Sequence, residues 1–346
     1  MNNELFVILL AVLFGSFFTW AFKSLPREQW QIIAAVPMVK NTTGQWQGLN
    51  LTYYGFFQAT SNTLGVAMAI VLLGAIGIPA IRTFALAAAL FAICWPAARI
   101  VARVVEKKKY TFTIGGALFV GVIAGPWIIQ SMNATLGGKM PVIPTLAAIA
   151  IAYAYGEGVG RLACISFGCC YGKKIEQAPP CLRRVFESIH FVFAGATKKA
   201  AYEGNLEGVC VVPIQAITAV LFTLIALAGT YLYLESRFAA ALIATMAATQ
   251  LWRFLSEILR ADARGKARRF SAYQAMALIA IVYLIFIAAF FDTVVAPTDV
   301  SAGLGLLWSP SVLIFCQRLW LTVFLITGRS MVTGSTLTFF VHQDRV

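Results

Sequence analysis

Residues 160–172, GRLACISFGCCYG, set glycines, three cysteines and an arginine side by side directly after an apolar run. Arg161 brings a permanent charge on a planar fork that matches phosphate or carboxylate oxygens. Gly160, Gly168 and Gly172 leave backbone bare, so that a ligand or a second chain segment can come close. Cys164, Cys169 and Cys170 admit three readings. As packing, they are small apolar residues at a helix–loop edge. As chemistry, one of them is a thiolate nucleophile or proton acceptor, activated by Arg161 and local amide donors, and Cys169 is the choice. As metal ligands they would act with Cys181 and His190, but C-x4-C-C-x10-C departs from the C-x2–4-C pairs of zinc sites, so no metal is assigned. Cys94 and Cys316 lie within apolar runs and read as packing.

A second charged stretch, RFLSEILRAD, places Arg253, Glu257 and Arg260 at i, i+4 and i+7, on one face of a helix. The structural reading is an ion pair at a helix end, with the arginines reaching for lipid headgroups. The chemical reading is a cavity, because an ionisable residue in a membrane span is costly and usually faces one. Two guanidiniums around one carboxylate leave capacity to grip a phosphate. Gly115 and Gly116 open another apolar run, where bare amides at a helix N-terminus suit an anion and close helix packing equally. Arg99 and Arg103 belong to the same basic edge, and Arg103 reads as an interfacial anchor.

The elements that must hold these residues are membrane spans. Apolar residues make up 60% of the 346, charged ones 12%, and the mean hydropathy is +0.80. A water-soluble domain of that composition could not cover its surface with polar groups. Apolar runs with few or no charges recur near the roughly 20 residues that cross a bilayer as helix. They lie at 5–22, 56–80, 83–101, 112–131, 142–159, 212–233, 238–258, 273–291 and 303–327. The expected fold is all-α, a polytopic transmembrane helical bundle of about nine spans with interfacial loops. The second and third spans meet in a tight hairpin at Ile78, Pro79 and Arg82, and a long loop, 160–211, carries the opening stretch. The first span lacks the basic n-region and small-residue site of a cleavable signal. Residues Lys23 to Thr52 read as a connector anchored by Trp30, Trp46, Tyr53 and Tyr54. The chain divides into 1–52, a first helix and connector; 53–291, the main membrane domain; and 292–346, an extra helix and tail. No nucleic-acid motif occurs, and the net charge of +13 suits loops at an anionic membrane face or an anionic substrate.

LTYYGFF, IGGALFVG, GEGVGRLACISFGCCYG, VVPIQA, and RFLSEILRAD followed by FSAYQA occur in one order. In that order the chain resembles the prolipoprotein diacylglyceryl transferase family over roughly residues 50 to 290. The resemblance implies transfer of the diacylglyceryl group of phosphatidylglycerol, the membrane phospholipid donor, to a thiol acceptor, with release of glycerol phosphate and no cofactor. It implies that Arg161 and Arg253 hold the phosphate, that Tyr54 and Gly55 line the lipid pocket, and that Gln215 and Glu257 order the residues behind. Three positions depart from the family. Its asparagine after Gly-Arg is Cys164, its acidic position is Cys169, and its histidine before the Gly-Gly pair is Ile114. The phosphate-gripping half is kept and the acceptor-activating half is replaced, so the acceptor, protein thiol or small molecule, stays open. A transporter or channel and a non-catalytic lipid-binding relative are the other classes; no inverted repeat is found, and the charges gather at one face.

Most lysines and arginines fall at one end of the spans: Lys23, Arg27, Lys40, Arg99, Arg103, Lys107 to Lys109, Arg161, Lys173, Lys174, Arg183, Arg184, Lys198, Lys199 and Arg260 to Arg269. The other end carries Arg82, Lys139 and Arg237. The positive-inside rule puts the crowded end, with Arg161, in the cytoplasm, where free cysteines also persist. The resemblance implies the outer face of the cytoplasmic membrane instead. The cytoplasmic side is the expectation.

Overall fold

Each apolar run folds as a helix, since a backbone in hydrocarbon must satisfy its own hydrogen bonds. The computed structural model describes residues 2–107, 113–135, 137, 140–261, 271–291 and 297–346, apart from the side chains of Glu106 and Cys181. Its long helices are α1 (Asn3–Ser24), α2 (Tyr53–Ala75), α3 (Ala80–Val101), α4 (Ile114–Thr135) and α5 (Val142–Phe167). Two short interfacial helices follow, α6 (Pro180–Ser188) and α7 (Lys199–Tyr202). Then come α8 (Ile214–Leu234), α9 (Phe238–Ser256), α10 (Ala272–Phe290), α11 (Val300–Leu307) and α12 (Pro310–Thr327). Among the described residues nine of these helices are long and apolar enough to cross a membrane. Leu9, Val12 and Leu13 of α1 and Ile285, Phe286 and Phe290 of α10 point outward, faces that only hydrocarbon satisfies. The protein is a multi-pass helical membrane protein. Lys108, Lys109, Lys139 and the run from Arg264 to Arg269 lie outside the described residues.

Helix α5 is the axis. Its alanines 147, 148, 150, 152 and 154 are buried, and such small residues let neighbouring backbones approach closely. A side chain at Gly158 would strike Thr223 of α8, and one at Gly65 of α2 would press on the Ala152 carbonyl. The expected end of this span at residue 159 is corrected by the structure. The helix runs on to Phe167, so Gly160, Arg161 and Cys164 are helical and the loop begins at Gly168. Gly156, Gly158 and Gly160 are contact points with α2 and α8. The expected ninth span is also corrected: α11 and α12 are separate, broken at Trp308–Ser309, with Pro310 opening α12. Both pack on α2, where Gly303 lies against the Val71 carbonyl and Trp320 donates to Thr60 Oγ1 at 3.1 Å.

The connector between α1 and α2 is a hairpin of two strands, β1 (Ile32–Lys40) and β2 (Trp46–Thr52). A strand from the far end of the chain, β5 (Arg329–Leu337), pairs antiparallel with β2, Trp46 opposite Leu337 and Leu51 opposite Arg329. Strands β3 (Phe191–Val192) and β4 (Cys210–Val211) close the long loop. Thr52 ties two ends together. Its hydroxyl donates to the Gly328 carbonyl at 3.0 Å and accepts from Gly55 N–H, capping α2.

Candidate functional site

The ends of α2, α4, α5, α9 and α12 that carry polar side chains converge on one cavity of about 430 Å³. Its walls hold Arg161, Lys199, Arg253, Arg260 and Arg329, against Glu203 and Glu257. Lys199 and Glu203 pair at 3.3 Å, so the surplus is arginine. A second space of about 490 Å³, mostly apolar, runs between α2, α3, α4, α5 and α12. Tyr54, Gln58, Thr113, Ile114 and Thr327 line both. The two spaces share one wall.

A buried carboxylate organises the arginines. Glu157, one turn before Arg161 on α5, pairs with it, and its Oε1 lies 3.7 Å from Arg253 Nη1. The same Nη1 donates to Tyr153 Oη at 2.9 Å. The sequence pattern put Glu257 between two arginines. Glu157, from another helix, sits between Arg161 and Arg253. Helix α9 ends at Ser256, so Arg260 is not on its face. A two-residue bridge places it instead, with Lys173 N–H donating to Leu259 O and Ala261 N–H to Tyr171 O. Gly172 lies in that bridge and against the Val212 carbonyl. Any side chain there would strike the Val212 backbone.

Gly168 ends α5 in the left-handed conformation, and Cys169 N–H returns to Cys164 O at 3.0 Å. Cys170 follows with φ 56°, a conformation that costs a non-glycine residue about 1–2 kcal/mol. This double reversal folds the loop back over the helix end, and the three sulfurs lie within 4.8 Å of one another. Gln215 Nε2 holds the Cys169 carbonyl at 2.9 Å. The Cys164 and Cys169 thiols hydrogen-bond to Cys170 and lower its pKa, with Arg260 and Arg161 adding to the effect against the cost of burial. The same sharing pushes the Cys169 thiol up.

Of the residues singled out in the sequence, Tyr54, Gly115, Arg161, Cys164, Cys169, Cys170, Arg253, Glu257 and Arg260 line the cavity, and Gly160 lines the groove. Gly115 admits the Arg253 guanidinium and the Tyr273 ring. Gly55 lies against Gly328 and Gly116 against Val101, both as packing contacts. Gly168 and Gln215 act on the cavity through the backbone of the cysteine loop. His190 stands apart, its Nδ1 at the Glu187 carbonyl, and the Cys181 side chain lies outside the described residues. Sequence reasoning missed Glu157, Tyr153, Lys199 and Arg329. For Glu157 the spacing to Arg161 was a signal; for Arg329 only the β2–β5 pairing reveals it.

Beside the Gly168 turn Lys198 is fully buried. Its Nζ donates to Leu25 O at 3.1 Å and Ser166 O at 2.6 Å, joining the ends of α1 and α5. Burial pushes its pKa down to about 7, against the attraction of Glu28. A neutral amine has two N–H donors, and two carbonyls receive them. No family model matches the chain, and no curated protein matches it.

Proposed function

We propose that this protein is an integral-membrane transferase acting on an anionic glycerophospholipid such as phosphatidylglycerol. It would move the diacylglyceryl group to a nucleophilic acceptor and release glycerol phosphate. The observation that carries this reading is the shared wall: an arginine-lined cavity and an apolar groove lie on either side of Tyr54, Gln58, Thr113, Ile114 and Thr327. A headgroup phosphate fits the first and acyl chains the second. The ordered sequence elements around Tyr54, Gly160–Arg161 and Arg253 support the same reading.

The reaction breaks the C–O bond between the diacylglyceryl carbon and phosphate oxygen while the acceptor's lone pair forms the new bond to carbon. The leaving oxygen keeps the electron pair, and the phosphate gains a negative charge. Arg161 and Arg253 are set to receive that charge, because Glu157 shares one negative charge between them and holds both forks in place. Donors fixed before the reaction need no reorganisation during it, which is where electrostatic catalysis gains. Ile114 occupies the cavity wall where the family has its histidine, so activation of the acceptor falls to the sulfur-lined wall.

Mass spectrometry of lipid extracts from cells with active protein and with the Arg161→Ala variant tests the reading. A transferase depletes phosphatidylglycerol and yields a diacylglyceryl adduct. A lipid carrier or channel leaves the lipid pool chemically unchanged, and that result would remove the proposal.

A further inference from the structure

The three-sulfur cluster has a geometry that neither packing nor the lipid reading requires. Cys164 comes from the last turn of α5, Cys169 and Cys170 from the loop folded over it, and every pair of sulfurs lies within 4.8 Å. A zinc–thiolate bond of about 2.3 Å places sulfurs about 3.8 Å apart in a tetrahedral site and about 4.0 Å apart in a trigonal one. Small side-chain rotations reach either arrangement.

The surroundings fit a bound cation. Cys164 is buried and the other two are half-buried, so the thiols are sheltered without being sealed off. The loop is braced by the Cys169 N–H to Cys164 carbonyl bond and by Gln215, and the left-handed turn at Cys170 is strain of the kind that gathers at functional sites. Three thiolates with one divalent ion leave a single net negative charge. Arg161 and Arg260, which line the same cavity, offset it. All three cysteines line that cavity, so the fourth position of a tetrahedral ion would face it, open to water or to a substrate atom. This is the arrangement of three protein ligands and one open site that distinguishes reactive zinc centres from closed structural ones. Linear spacing conceals it, because a helix cap rather than a C-x2–4-C hairpin brings the ligands together.

We propose that Cys164, Cys169 and Cys170 form a three-thiolate site for one thiophilic d10 cation, zinc(II) foremost, with its fourth coordination position open to the arginine cavity. Soft thiolates select such ions over magnesium or calcium. The site rests on sulfur geometry and stands whether or not the cavity binds lipid.

The test is metal content. Full-length protein, purified in detergent under a non-thiol reductant and incubated with zinc, is gel-filtered and measured by inductively coupled plasma mass spectrometry. The wild type is expected to retain about one zinc per chain. Cys169→Ser and Cys170→Ser should each lower retention at least about tenfold, while Cys94→Ser and Cys316→Ser leave it unchanged. Cobalt(II) in place of zinc should give the wild type an intense thiolate-to-metal charge-transfer band that both site variants lose. The band needs no variant to be read, so it also serves where a substitution prevents folding. Retention that is the same in the site variants, a wild type without the band, or a disulfide within the cluster in the reduced preparation would each overturn the proposal.

Discussion

Glu157 of α5 lies 3.7 Å from Arg253 at the end of α9, an ion pair between two helices whose carboxylate also engages Arg161. Their side chains are only 5% and 16% exposed. A buried pair is costly to break, because the remaining partner keeps its charge without compensation. Glu157→Gln is therefore expected to destabilise the protein by about 3–5 kcal/mol and to lower its melting temperature in detergent. An unchanged melting temperature would mean that the triad does not hold α5 and α9 together.

The arginines should separate folding from turnover. Arg161→Ala is expected to lower turnover of phosphatidylglycerol about 10²–10³-fold in protein that still inserts. Arg161→Lys should recover little, since a point charge cannot reproduce a planar two-pronged contact. Full activity of either variant at equal protein level would remove Arg161 from the site.

The groove makes a separate prediction. Ala69 lines it, and Ala69→Trp would fill part of its length with an indole. Turnover of long-chain phosphatidylglycerol should fall about tenfold or more, while a short-chain, water-soluble analogue is used as before. Equal rates on both lipids in this variant would show that acyl chains lie elsewhere.

Lys198 links stability to pH. Its folded-state pKa of about 7 lies below the ordinary lysine value of about 10.4. Between these values the unfolded chain holds the extra proton, so stability rises with pH, with a slope of at most about 1.4 kcal/mol per pH unit. Below pH 7 the amine is charged in both states and the burial penalty is complete. The melting temperature should climb more steeply between pH 7 and 9 in the wild type than in Lys198→Met. Glu28 is the neighbouring charge that acts on the amine. Parallel curves would contradict the assignment.

Much of this fold was legible because hydrocarbon imposes a simple rule: the apolar runs are long, and nine of them became helices. The edges were less legible. The apolar run was drawn to end at 159, yet α5 runs to Phe167, and glycines 156, 158 and 160, in contact with Ser61 and Thr223, let it lie between α2 and α8. Ser309–Pro310 was a readable break within the last apolar run, since proline favours the first turn of a helix. The strands were hidden, because IIAAVPMVK and RSMVTGSTL lack clean alternation and the pairing of RSMVTGSTL with WQGLNLT joins residues almost 300 apart. The site followed the same division. Arg161, Arg253 and the cysteines stood out by type and spacing. Glu157 lines the groove and Arg329 the cavity, both brought there by tertiary packing, and Gly55, read as pocket wall, instead admits Gly328.

Release of glycerol phosphate from phosphatidylglycerol by the purified protein, with a cysteine-containing peptide as acceptor, tests the central claim most directly. The account predicts continuous release by the wild type and a loss of about 10²-fold or more in Arg253→Ala at equal protein concentration. Wild-type protein that binds the lipid but releases no glycerol phosphate with any thiol acceptor would contradict it.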